Sequence, residues 1–113
     1  MGKKFFLAAL VMSAVFVLVA APAFADGNKH VHEAIAHAEE AVKHGGMGHA
    51  DAVVGHAQEA LSHAEMAQKD VKNSHLDEGV GELKEAIAHG NQGHAEVATK
   101  HAKSAVMHLK EVH

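Results

Sequence analysis

HADAVVGHAQEALSHAE, residues 49–65, places histidine at 49, 56 and 63, seven residues apart each time. The same interval separates His30, His37 and His44, and again His94, His101 and His108. Seven residues are close to two helical turns, so each series runs down one side of a helix. One residue after the beat come Val31, Ala38, Ala50, Ala57, Ala64, Leu76, Leu83, Ala95, Ala102 and Leu109. Four and five residues after it come Ala34-Ile35, Ala41-Val42, Val53-Val54, Ala60-Leu61, Gly79-Val80, Ala86-Ile87 and Ala105-Val106. These offsets share one side of a helix and form a continuous apolar stripe, the face that packs. The histidines stand about 90° from its centre, which predicts that they flank the core and face outward.

Glycine punctuates this pattern. Gly45-Gly46-Met47-Gly48 and Gly90-Asn91-Gln92-Gly93 read as helix-ending turns, and Asn73-Ser74 as a shorter break with Ser74 as N-cap. Four helices are predicted, over 28–44, 49–72, 75–89 and 94–112. The two glycine turns lie 45 residues apart, and aligning 30–68 with 75–113 at that offset gives 13 identities in 39 positions. His30 falls on His75, His44 on His89, His49 on His94, His56 on His101 and His63 on His108, while His37 falls on Glu82. The predicted fold is all-α: an antiparallel up-and-down four-helix bundle built from two repeated helical hairpins, 30–68 and 75–113.

Residues 1–25 read as an export signal. Lys3 and Lys4 precede an apolar run from Phe5 to Ala21 broken only by Ser13, and Ala23-Phe24-Ala25 has the small-x-small pattern of a signal-peptidase site. Cleavage after Ala25 leaves a single domain, 26–113, and sends the chain to the periplasm. All four phenylalanines and Pro22 leave with the signal. The remainder carries 8 Lys against 14 acids, a formal charge of −6, and all 13 histidines, with no Arg, Cys, Trp or Tyr. An acidic chain without arginine is poorly suited to nucleic acid, whose binding depends on neutralising phosphates. After cleavage nothing remains to hold a membrane.

The chemistry lies beside the histidines. An acid stands three residues after the beat at Glu33, Glu40, Glu59, Glu78, Glu85 and Glu111. His30-Glu33-His37-Glu40-His44 therefore places neighbouring ligands three or four residues apart on one helix face. His56-Glu59-His63 continues the idea, then His75-Glu78-Glu82-Glu85-His89 with acids in the middle, and more thinly His94, His101, His108 and Glu111. Imidazole and carboxylate at these spacings suit divalent transition metals, and the Irving–Williams order puts Cu(II) first, with Ni(II) or Zn(II) as alternatives. His44 with His49, and His89 with His94, bracket the glycine turns and form a second kind of site. His30-Val31-His32 offers a further low-coordination site.

The blander reading is a solvated polar face on a structural or chaperone-like bundle, with the histidines as a pH-responsive surface. Charging all 13 would swing the net charge from −6 toward +7. Glutamate and lysine serve a solvated face better, since histidine is a middling helix former. Enzyme signatures are missing from the sequence: no E-x-x-H of di-iron bundles, no H-E-x-x-H and no C-x-x-C-H.

With its export signal, missing cysteines and heptad-spaced histidines in motifs such as HEAIAHAEEAVKHG and GHAQEALSHAE, the chain resembles the small metal-binding protein family. The resemblance covers nearly all of the mature chain. It implies a monomeric helical bundle that binds several divalent ions, Cu(II) favoured, for metal buffering or scavenging. The histidines at 30, 37, 44, 49, 56, 63, 75, 89, 94, 101 and 108 match the histidine-bearing heptads of the family, and Glu82 departs from them.

Overall fold

The computed structural model describes residues 23–113, so the predicted export signal lies almost wholly outside the described residues. Four helices follow one another: α1 (Ala23–Gly46), α2 (Ala50–Gln68), α3 (Ser74–Asn91) and α4 (Ala95–Lys110). The described residues contain no strand. Helix α1 begins before the predicted cleavage point, which falls within its first turn. No described helix is long and apolar enough to cross a membrane.

Both glycine turns close in the same way. The His49 N–H donates to the His44 carbonyl at 3.1 Å and Gly48 N–H to Gly45 at 2.9 Å, and the second turn repeats this with His94 to His89 and Gly93 to Gly90. This is the Schellman pattern, and its left-handed residue is Gly48 or Gly93, each at φ +80°. An apolar pair usually closes such a motif; here the pair is imidazole on imidazole, with ring centroids 6.2 Å apart in both turns. Between the hairpins the cap is Asn73 and not the predicted Ser74. Asn73 is extended (φ −152°, ψ 129°), and its side chain accepts from His75 N–H at 2.8 Å and from Leu76 N–H at 3.4 Å. Ser74 is already in the helix.

Helix α1 packs on α2 and α4, and α3 likewise packs on α2 and α4. The core is the stripe read from the sequence, but narrower. Most residues one and four after the beat are buried, including Val31, Ala38, Val53, Ala60, Leu83 and Ala105. Most residues five after it, among them Ile35, Val42, Leu61, Ile87 and Val106, are only partly buried, whereas Val80 and Thr99 are buried. The centre of the buried face therefore moves to about 70° from the histidines. This corrects the expectation that they face outward: His30, His37, His44, His56, His63, His75, His89, His101 and His108 are all half-buried at the core's edge.

Two helix-ending glycines sit tightly against neighbouring side chains. A Cβ on Gly45 would overlap Thr99 Oγ1, and one on Gly90 would meet Val54 Cγ2 at 2.5 Å. Gly90 is Gly45 shifted by 45 residues, and Thr99 is Val54 shifted likewise. Thr99 is buried and its hydroxyl already donates to the Ala95 carbonyl at 2.6 Å. We expect Gly45→Ala to destabilise the fold by about 1–3 kcal/mol through overpacking, despite the better helix propensity of alanine. Urea unfolding checks this; an alanine variant as stable as the wild type would show that the two hairpins do not need the close approach.

Candidate metal centres

Within each hairpin the histidines pair in reverse order. His30 lies by His63, His37 by His56 and His44 by His49. In the second hairpin His75 lies by His108, Glu82 by His101 and His89 by His94. In the first hairpin the rings form a continuous stack, and in the second the stack is interrupted between His108 and His101. Ring centroids are 5.0 Å apart for His44 and His56, 5.6 Å for His37 and His63, and 5.3 Å for His89 and His101. Each seam follows the flank where two helices of one hairpin meet.

Among the described residues, five groups bring three ligand atoms within 4.8 Å of one another: His30/Glu33/His63, His37/His56/Glu59, Glu40/His44/His56, His75/Glu78/His108 and Glu85/His89/His101. Each takes side chains from both helices of its hairpin. The single-helix string His30-Glu33-His37-Glu40-His44 expected from i,i+3 and i,i+4 spacing is thus distributed over three groups, each completed from α2.

The groups nearest the open ends of the hairpins are the tightest. His30 Nδ1 and His63 Nδ1 are 3.0 Å apart, and Glu33 Oε1 lies 3.5 and 3.2 Å from them. The repeat mate is closely matched, with His75 Nδ1 and His108 Nδ1 3.4 Å apart and Glu78 Oε1 at 3.4 and 3.3 Å. An ion with bonds of about 2.0–2.1 Å to nitrogen and oxygen needs its donors about 2.9 Å apart at right angles, or about 3.4 Å apart in a tetrahedron. Two neutral imidazoles and one carboxylate at these separations fit such an ion without rebuilding the backbone.

The groups near the glycine turns are looser. His44 Nε2 is 3.9 Å from Glu40 Oε1, and His89 Nε2 is 3.7 Å from Glu85 Oε1. The Nδ1 atoms of His44, His56 and His89 are buried with no hydrogen-bond partner. A buried polar atom left without a partner costs about 1–3 kcal/mol. In the middle of the first hairpin, Glu59 Oε1 lies 3.0 Å from His37 Nδ1. The second hairpin has no such centre, because Glu82 and Ser104 stand where the first has His37 and Glu59.

Of the ligands read from the sequence, three fall outside the five groups. His49 and His94 are exposed beyond the turns, beside His44 and His89 but without a third ligand in those groups. His32 points away from His30 and lines a hollow with Asn28 and His113 at the end of the bundle. Glu85, which the sequence marks as an acid beside the beat without singling it out as a ligand, completes the fifth group. The 45-residue repeat would have supplied it, since it carries Glu40 onto Glu85.

No curated protein matches the chain. The family of small metal-binding proteins matches it over residues 3–112. Given that match over nearly the full length, and histidine and glutamate side chains gathered into metal-sized groups, the chain belongs to the small metal-binding protein family.

Proposed function

We propose that the protein sequesters several divalent transition-metal ions at once, Cu(II) ahead of Ni(II) and Zn(II), and so buffers or scavenges metal in the periplasm. In this reading the signal is cleaved after Ala25, and the mature monomer is an antiparallel up-and-down bundle. The carrying observation is the repeated group of two imidazoles and a carboxylate that spans each hairpin. Nitrogen-rich donor sets of this kind rank Cu(II) first, and the sequence has no cysteine to favour Cu(I) or a thiolate zinc site. Binding is stoichiometric: the ligand sets hold ions, and no residue is assigned a chemical step.

The capacity follows from the ligands. The five groups share one residue, His56, so four can fill with no ligand used twice. Titration with Cu(II) near neutral pH, counted by native mass spectrometry, is expected to show four ions on a monomer that persist against a competing chelator. At most one ion, readily stripped, would instead favour a structural bundle whose histidines respond to pH.

A further inference from the structure

We propose that Glu82, the residue that breaks the seven-residue beat, is a positioning residue that fixes His101 for metal and makes Glu85/His89/His101 the preferred site near the glycine turns. The proposal rests on the metal-binding reading and concerns how its sites are ranked. Four histidines build the two groups near the turns. Three of them, His44, His56 and His89, have a buried Nδ1 with no partner. The fourth, His101, has its Nδ1 2.7 Å from Glu82 Oε1, the shortest histidine–carboxylate contact among the described residues. Glu82 is also the least exposed of the carboxylates in these contacts, at 30% against 41% or more.

An ionised carboxylate only accepts hydrogen bonds, so the contact requires the proton on His101 Nδ1. The lone pair is then on Nε2, where a metal can take it. Carboxylate–histidine pairs of this kind orient the ring and raise the basicity of the coordinating nitrogen, and losing the carboxylate typically costs 10–100-fold in metal affinity. In the first hairpin the corresponding residue is His37, which cannot act as a carboxylate acceptor for His56. There His56 is also claimed by two groups, whereas in the second hairpin His101 belongs to one. The replacement of Glu59 by Ser104 removes the competing centre. The same two changes that break the repeat therefore release His101 from competition and fix its tautomer.

Long-range nitrogen–proton NMR of the metal-free protein reads the tautomers directly. His101 is expected to carry its proton on Nδ1, and Glu82→Ala is expected to abolish that preference while Glu82→Asp restores part of it. As Cu(II) is added stepwise, paramagnetic broadening is expected at His89 and His101 before His44 and His56. Glu82→Ala should weaken that site about 10–100-fold and remove the order. An Nε2–H tautomer for His101 in the wild type, or simultaneous broadening of the two pairs, overturns the proposal. If the variant does not fold, the wild-type tautomer and filling order still decide. A protein that binds no Cu(II) refutes the functional reading, whereas tautomer and filling order address Glu82 alone.

Discussion

Saturating Cu(II) is expected to raise the thermal-unfolding midpoint by about 10–20 °C. An ion held only by the folded chain contributes about 2.7 kcal/mol at a hundredfold excess over its dissociation constant. Each kcal/mol shifts the midpoint of a domain of this size by about 4–8 °C. One well-filled site is enough, and further sites add to it. The effect is large because the metal-free fold has little else to draw on. Among the described residues, eleven of the seventeen buried apolar ones are alanines, each removing little surface from water. Thermal melts followed by far-UV circular dichroism, with Mg(II) as an oxygen-seeking control, check this. The increment should vanish on acidification, because protons compete for the imidazole nitrogens. A midpoint that Cu(II) does not move would sink the claim that the groups are formed by the fold.

Leu109→Ala is expected to cost about 2–5 kcal/mol, toward the upper part of that range. Leu76, Leu83, Leu109 and Val53 are the largest fully buried side chains. Leu109 lies over Gly79, where a Cβ would come within 2.8 Å of Leu109 Cδ2. Glycine has no side chain to relax into the space left behind, so truncation leaves a hole. In the first hairpin the corresponding pair is Ala34 and Ala64. The double variant Gly79→Ala/Leu109→Ala recreates that pair and should recover part of the loss, whereas Gly79→Ala alone should not stabilise. Urea unfolding of the four proteins in chelator gives the coupling. Additive effects would show that the two positions are packed independently.

Much of this arrangement was legible in the sequence. The beat located the core, because the residues one and four after most beat positions are apolar. Two glycine turns located the helix ends, because Gly48 and Gly93 hold a backbone conformation that other residues resist. The depth of the histidines was not legible. It depends on how closely alanine faces approach, which moved residues such as Ile35 and Val42 to the margin and brought the imidazoles inward. The partnership of ligands was open to reading but was missed. Reflecting the chain about the first turn puts His30 opposite His63 and His37 opposite His56; about the second, it puts Glu82 opposite His101. Reading along each helix instead assigned Glu33 and Glu40 to their own helix, although His63 and His56 complete those sites. Asn73 and Ser74 are both good caps, and only the backbone, extended at Asn73, decides between them.

Every metal-sized group among the described residues joins the two helices of one hairpin, and none joins one hairpin to the other. A bound ion therefore acts as a reversible cross-link across a loop of at most 33 residues, the separation of His30 from His63 and of His75 from His108. Closing so short a loop carries a small entropic cost, and the contacts it rewards are local ones that form early in folding. Each half of the chain therefore offers its metal-sized groups with ligands of its own, and the alanine and glycine seam between the halves supplies none.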